Sequence, residues 1–244
     1  MKQNELGLTM LHLILRVDKH NYNLIKKVVE VGGRQLIMKK CPSGWNGLCT
    51  AYFCDAPTEV TDLLFDFGGI ELLMEKNNSG STVLERVILM KSNDENLISK
   101  IINIGGRQLI NARNDFGLTI IELVLRTRPR NCKVIMETIV NIAGKDIIIQ
   151  TNEQKMNALH FACLYNASTD IIELFLRVGG HEKILMQEDN FGSTPLLLLP
   201  SYDNIWSIRL LLQEGGKDLV MKHDHAGFNI LHKVCRVKNG KSIS

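Results

Sequence analysis

The chain has 244 residues, of which 45% are hydrophobic and 23% are charged, and its net charge is +3. This composition excludes a wholly disordered chain. The charge is too balanced for the strong positive field on which non-specific nucleic-acid binding depends. No apolar run approaches the roughly 20 residues of a membrane-spanning helix. The first thirteen residues also lack the order of a secretory signal, so we expect no export.

Cysteine usage points to a reducing compartment. The cysteines are scattered without any Cys-x-x-Cys pair, in a chain long enough to fold without disulfides. We therefore expect reduced thiols in an intracellular, cytoplasmic protein, with a nuclear location as the alternative. The six residues are Cys41, Cys49, Cys54, Cys132, Cys163 and Cys235.

Two glycine markers recur along the chain in one phase. A Gly-Gly doublet, replaced once by Ala143-Gly144, follows an apolar helical pattern every 36 to 38 residues, and a second Gly, replaced once by Lys155, opens a turn before the next helical pattern. Such periodicity is typical of repeat architectures. We predict the repeats, in chain order, at 4–40, 41–76, 77–113, 114–151, 152–188 and 189–223, with a partial one at 224–244.

Each repeat has the same internal order of predicted elements. A first helix, a loop, a second helix and a long return follow one another, as in repeat 5 from Lys155 to Phe191. The Gly doublet predicts the end of the second helix, since helices often end at a residue with positive φ. The short apolar stretch that follows, such as Ile184–Met186, predicts another turn of helix or an extended segment. One repeat cannot bury its apolar surface alone, so neighbours must stack.

Several of these turns resemble the ankyrin signature T-P-L-H-x-A. The resemblance is carried by GLTMLH (7–12), MNALHFAC (156–163), GSTPL (192–196) and GFNILH (227–232), whereas repeats 2 to 4 keep the signature poorly. It implies an all-α, ankyrin-type helix-loop-helix repeat solenoid over 1–244. The repeats are longer than the usual ankyrin period of about 33 residues, so they are divergent ones.

The resemblance also assigns a structural role to three histidines. His12, His160 and His232 share one phase of the repeat, and in ankyrin-like repeats this His hydrogen-bonds to the backbone and fixes the turn before the first helix. The other repeats carry Cys49, Glu85, Glu122 and Leu197 at this position.

Catalytic and metal-binding motifs are missing from the sequence. It contains no phosphate-binding glycine loop, no His-Glu-x-x-His helix and no Gly-x-Ser-x-Gly elbow. His223-Asp224-His225 could supply zinc ligands, but the spacing matches no known site, and an exposed polar turn is the simpler interpretation. We expect no enzyme activity, no cofactor and no bound metal.

The resemblance places a protein partner on the concave face formed by the turns and first helices. Exposed aromatic anchors are enriched at protein interfaces. For any single residue the alternative is that it folds onto the neighbouring turn and extends the core. The candidate binding residues are Trp45, Phe53, Phe116, Arg126, Met156, Tyr165, Phe191, Tyr202, Phe228 and Arg236.

These observations predict a non-enzymatic, monomeric scaffold or adaptor that binds another protein. The alternative is the targeting module of a longer enzyme or effector whose catalytic domain is absent from this chain. Basic stretches at 126–133 and 233–241 leave nucleic-acid binding as a minor hypothesis, because they lack interleaved aromatic residues.

Overall fold

The computed structural model describes residues 3–90, 95–115, 117–200 and 205–238, and side chains as far as Cys235. This part of the chain is helical and contains no β-strand, only an isolated bridge between His223 and Asn229. The chain divides into two compact units, Met1–Ile120 and Ile121–Ser244. No described helix is long and apolar enough to cross a membrane.

In the first unit, helices alternate as the repeat pattern predicts. The first helices of repeats 1 to 3 are α1, α3 and α6, the second helices are α2, α4 and α7, and α5 is a short helix after the second Gly doublet. Their bounds are α1 Met10–Val17, α2 Tyr22–Met38, α3 Gly47–Phe53, α4 Thr58–Gly68, α5 Glu71–Met74, α6 Val83–Met90 and α7 Glu95–Ile110.

The second unit continues the same order. Repeat 4 supplies α8, α9 and the short α10, repeat 5 supplies α11, α12 and the short α13, and repeat 6 supplies a 3₁₀ turn and α14. The bounds are α8 Ile120–Thr127, α9 Cys132–Ala143, α10 Asp146–Ile149, α11 Ala158–Leu164, α12 Thr169–Gly179, α13 His181–Leu185, the 3₁₀ turn Pro195–Leu198, α14 Ile205–Met221 and α15 Ile230–Lys238, which belongs to repeat 7.

The Gly doublet both redirects the second helix and lets the chain fold back tightly. Gly69 has φ +72°, a conformation that other residues rarely adopt. A Cβ on Gly68 would lie 2.0 Å from Leu72 Cδ1, so the first Gly leaves room for the residue four positions later. The apolar stretch after the doublet forms a further turn of helix, which was one of the two predicted outcomes.

The first helix of repeat 6 departs from the common pattern. Only the 3₁₀ turn Pro195–Leu198 forms before Pro200, and Leu199 is extended, with ψ 123°. A residue before proline is pushed out of the helical region by contact with the proline ring. The pattern predicted a regular helix here, and this was wrong because Pro200 prevents a regular helix from continuing.

First and second helices both contribute to the core. In the first unit α4 packs on α2, and in the second unit α12 packs on α9. Their inward side chains, such as Leu64 and Phe175, are fully buried. Truncating a buried Phe to Ala typically costs about 3–5 kcal/mol, so this packing holds the first helices and their turns in place.

Candidate partner-binding surface

The turn that contains the phase-marking Gly or Lys155, here named the fingertip, is fixed by one Asn or Asp side chain in six of the seven repeats. In repeat 3, Asn77 Oδ1 accepts hydrogen bonds from the backbone N–H groups of Ser79 and Ser81, at 3.0 and 2.9 Å. Five other fingertips carry an equivalent residue, three positions before the Gly or Lys155. Sequence reasoning missed this marker, which comprises Asn4, Asn77, Asn114, Asn152, Asp189 and Asp224.

Two of the phased histidines, His12 and His160, connect their own fingertip to the next, which confirms their predicted backbone role. His160 Nδ1 accepts from the backbone N–H of Asn157 at 3.1 Å, and Nε2 lies 3.2 Å from the carbonyl oxygen of Ser193 in repeat 6. His12 Nε2 makes the same contact with the carbonyl of Trp45, at 3.1 Å. Burial lowers the pKa of His160 to about 4. The ring is therefore neutral at pH 7, so Nδ1 can accept a hydrogen bond and Nε2 can donate one.

In repeat 3 a carboxylate occupies the histidine position. Glu85 is buried, and burial raises the pKa of its side chain although the backbone N–H of Thr82 donates to it. Its Oε2 has no hydrogen-bond partner among the described residues. A carboxylate cannot donate to the following fingertip as His160 does.

Residues that follow the phase-marking Gly lean against neighbouring side chains. Trp45, Met156 and Phe228 are half-buried. The Trp45 ring lies 5.2 Å from the Phe53 ring, and the guanidinium of Arg86 lies 5.9 Å from the Trp45 centroid. Trp45 therefore packs on the first helices of its own and the next repeat, and all three residues present only part of their surface.

The residue before the Gly is the outermost apolar position of the fingertip. Phe191 is 69% exposed and Leu6 is 70% exposed. Phe191 was a sequence candidate and Leu6 was not, although both share one phase. Phe116, the candidate at this phase in repeat 4, lies outside the described residues.

First helices expose an apolar or arginine side chain at one repeated position, four residues after the histidine phase. In the first unit this position, here named the helix row, holds Arg16, Phe53 and Leu89, and in the second unit it holds Arg126 and Leu164. Phe53 is half-buried and the other four are exposed. Sequence reasoning missed Leu89, because the signature of repeat 3 is weak.

The remaining sequence candidates lie near this row or beyond what can be described. Tyr165 is half-buried, with its ring centroid 6.4 Å from that of Phe161. Tyr202 lies outside the described residues, and Arg236 lies in α15 with a side chain that is not described. Within the first unit the structure brings Trp45 and Phe53 together.

Second helices of repeats 2 to 5 carry ion pairs on their exposed surface. Lys100 pairs with Asp62 at 2.6 Å in the first unit, and Lys133 pairs with Asp170 at 3.3 Å in the second. All four side chains are substantially exposed, so each pair is worth at most about 1 kcal/mol. Each pair joins the second helices of successive repeats within one unit.

The His223-Asp224-His225 cluster forms part of a fingertip. Asp224 Oδ1 accepts from the backbone N–H groups of Ala226 and Phe228, and its other oxygen lies 3.3 Å from the Lys233 ammonium. No group of three His, Cys, Asp or Glu side chains in the described part of the chain could hold a metal ion. Here the carboxylate shapes a turn.

Comparison with known proteins identifies the architecture. No family model and no curated protein matches the sequence. Among solved structures, the ankyrin repeat domain of Bcl-3, a member of the IkappaB protein family, is 18% identical with a TM-score of 0.67, and the match covers 94% of this chain and 99% of that one. The ankyrin repeat protein EF0377 is 18% identical with a TM-score of 0.59, covering 80% of this chain and 92% of that one.

A third similar structure comes from a complex. The complex of the predatory endopeptidase Bd0816 from Bdellovibrio bacteriovorus with the immunity protein Bd3460 contains a chain that is 19% identical to this one. Its TM-score is 0.59, and the match covers 87% of this chain and 99% of that chain. The protein described here thus has the ankyrin-repeat fold, with the all-α helix-loop-helix repeats that the sequence predicted.

Proposed function

We propose that this protein is a non-enzymatic scaffold or adaptor that binds another protein through its fingertips and first helices. In each unit the proposed surface comprises that unit's part of the helix row and its exposed fingertip residue, Leu6 in the first and Phe191 in the second, together with the half-buried candidates beside them. It binds a protein partner and uses no cofactor. We place it in a reducing intracellular compartment, where its six free thiols stay reduced.

The helix row carries this proposal. Its described members are Arg16, Phe53, Leu89, Arg126 and Leu164, and none of them is acidic, Lys or a small polar residue. Protein interfaces are enriched in Arg and aromatic residues and depleted of Lys, Asp and Glu. The second helices of repeats 2 to 5 carry the Lys–Asp pairs, although α2 and α14 also expose Val31 and Trp206.

Energetic considerations favour the apolar members as anchors. An exposed Leu or Phe that becomes fully buried gains about 1.5–3 kcal/mol, whereas a solvated Arg mainly adds hydrogen bonds and charge complementarity. Phe191 and Leu164 in the second unit, and Leu6 and Leu89 in the first, are therefore expected to dominate affinity.

The test is capture of partners from cell extract with three proteins. The surface variant carries Leu6→Ser, Leu89→Ser, Leu164→Ser and Phe191→Ser. The control carries Trp206→Ser, because Trp206 on α14 is 70% exposed and so matches Phe191 in exposure. Circular dichroism first establishes that all three are folded.

A partner that the wild type and the Trp206→Ser control retain, and that the surface variant loses, supports the proposal. Equal recovery by all three proteins contradicts it and moves the site to the loops or second helices. The alternative, a targeting module of a longer enzyme or effector, uses the same surface and is distinguished by a catalytic domain on the native gene product.

A further inference from the structure

Three arginines lie close together in the chain where the first helix of repeat 4 ends, and they are here named the arginine cluster. Arg126 lies in the last turn of α8, and Arg128 and Arg130 lie in the loop that joins α8 to α9. All three side chains are exposed. Within the described part of the chain, the side chains of Arg126 and Arg130 make no hydrogen bond and no ion pair. Both guanidinium groups are therefore available to a partner.

The third member of the cluster is held in place by the next repeat. Arg128 Nη2 donates a hydrogen bond to the carbonyl oxygen of Tyr165, the residue that follows α11. A guanidinium group carries five N–H donors in one plane, so Arg128 keeps donors for a ligand. Leu164 directly precedes Tyr165 and is 38% exposed. The hydrogen bond thus places the cluster beside an apolar member of the helix row.

The surface around the cluster carries charge of one sign. Residues 123–133 and 156–169 include no Asp or Glu. Glu122, the last acidic residue before the cluster, is buried. Asp170, the first acidic residue after the second range, pairs with Lys133 at 3.3 Å. The cluster is therefore a local positive region in a chain whose net charge is only +3, and such a region selects a partner surface of negative charge.

The turn itself does not require an arginine. Arg128 has φ +49°, a left-handed conformation in which Asn and Asp are enriched among residues other than Gly. Repeats 2 and 5 have the favoured residues at the same phase, Asp55 with φ +54° and Asn166 with φ +49°. Strained backbone positions cluster at functional sites. Arg128 is therefore better explained by ligand binding than by the needs of the turn.

Carboxylate groups of a protein fit this site. A guanidinium group binds a carboxylate through two parallel hydrogen bonds, and arginine clusters are a recurring means of recognising acidic segments. Sites for single-stranded nucleic acid instead combine basic residues with aromatic rings on which bases stack, whereas the exposed neighbour Leu164 is aliphatic. Building on the proposed function, we propose that the arginine cluster and Leu164 bind a segment of the protein partner in which Asp or Glu residues flank an apolar residue.

The proposal is tested by selecting peptides from a random phage-displayed library on the intact chain. The selected peptides are expected to be enriched in Asp and Glu next to an apolar residue. The tightest of them is synthesised with a fluorescent label, and its Kd is measured by anisotropy. Arg126→Glu with Arg130→Glu places like charges opposite the peptide and should raise this Kd at least about 10-fold. Arg128 keeps its hydrogen bond to Tyr165 in this variant, so the fold should persist, which circular dichroism checks.

The control variant, Arg177→Glu with Lys183→Glu, makes the same change of charge at exposed residues of α12 and α13 in the second unit. Its Kd for the peptide should equal that of the wild type. Equal Kd values for the two double variants would overturn the proposal, as would selected peptides without acidic enrichment or a library that yields no binder.

Two further outcomes separate this proposal from its rivals. Tighter binding of a labelled single-stranded DNA than of the peptide, at about 150 mM NaCl, would overturn the proposal and identify a nucleic-acid site. Selected peptides without acidic residues that bind the wild type but not the surface variant with Leu164→Ser and Phe191→Ser would also overturn it. That result would still support the proposed function, so the two proposals can fail independently.

Discussion

Repeats 5 and 3 have the same arrangement of helices but differ at one buried position. His160 in repeat 5 accepts from Asn157 on one side and reaches the carbonyl of Ser193 on the other. Glu85 in repeat 3 keeps the first interaction, with Thr82, and leaves Oε2 without a partner among the described residues. The comparison shows that a histidine reaches the backbone carbonyl of the next fingertip, whereas the carboxylate meets only the Asn114 side chain among the described residues there.

The two repeats should also respond to pH in opposite directions. In repeat 5 the neutral imidazole makes both hydrogen bonds of its site, so protonation of the ring is unfavourable there. A protonated carboxyl group would suit repeat 3 better, because it could donate a hydrogen bond as the histidine Nε2 does. Lowering the pH should therefore weaken the first arrangement and improve the second.

Replacing the linking histidine should have the largest effect. His160→Ala leaves the Asn157 amide and the Ser193 carbonyl buried without this partner, at a cost of about 1–3 kcal/mol for each group, and adds a cavity. We expect a loss of about 3 kcal/mol in urea-induced unfolding of the second unit. The matched change Glu85→Ala should cost much less, and equal losses would show that the histidine link is unimportant.

The second effect is the loss of stability at low pH. The folded-state pKa of His160 is about 4, against 6.5 in an unfolded chain. Below pH 6.5 the imidazole binds a proton in the unfolded state but not in the folded state. The free energy of unfolding therefore falls until the pH reaches about 4. Across this window the loss should approach about 3 kcal/mol.

His160→Gln removes this titration, so the slope of stability with pH between 6.5 and 4 should become shallower in urea titrations. His12, whose pKa burial also lowers, supplies the remaining slope in the first unit. An unchanged slope in the His160→Gln variant would show that other groups control the acid response.

The smallest effect is a gain. Burial raises the folded-state pKa of Glu85 above the ordinary 4.5, so the folded state is penalised as the pH rises through that pKa. Glu85→Gln removes the charge and supplies an N–H donor, and should stabilise the first unit by about 1 kcal/mol at pH 7. Thermal melts should show the gain at pH 7 and its reduction at pH 4, whereas destabilisation at pH 7 would mean that the carboxylate is well paired.

Local markers were enough to predict most of the fold. The Gly doublets, the first helices and the backbone role of His12 and His160 depend on neighbours within one repeat or on the next repeat in phase. The Asn and Asp anchors of the fingertips could have been found in the same way, since Asn77 and Asp189 occupy one phase. Pro200 ended the 3₁₀ turn through an equally local steric effect.

Exposure was the property that phase alone could not predict. Trp45 and Phe191 were both fingertip candidates, but Trp45 rests on Phe53 whereas Phe191 projects into water. Leu89 in the helix row was missed because the sequence around it departs from the signature. Whether a side chain on a helix is buried depends on residues about 37 positions away, in the neighbouring repeat. The helical period of its own segment does not identify those residues.

The sequence by itself determined the period, the order of helices and the residues that fix each turn, because these follow from backbone sterics and short-range hydrogen bonds. Only the tertiary structure decided which apolar side chains remain on the surface, because stacking buries a face in one repeat and exposes the same face in another. Met10 and Ala158 occupy one phase of the repeat, yet one is exposed and the other is buried. The difference arises because α11 and its turn pack within a stack of repeats, whereas α1 lies at the edge of its own unit.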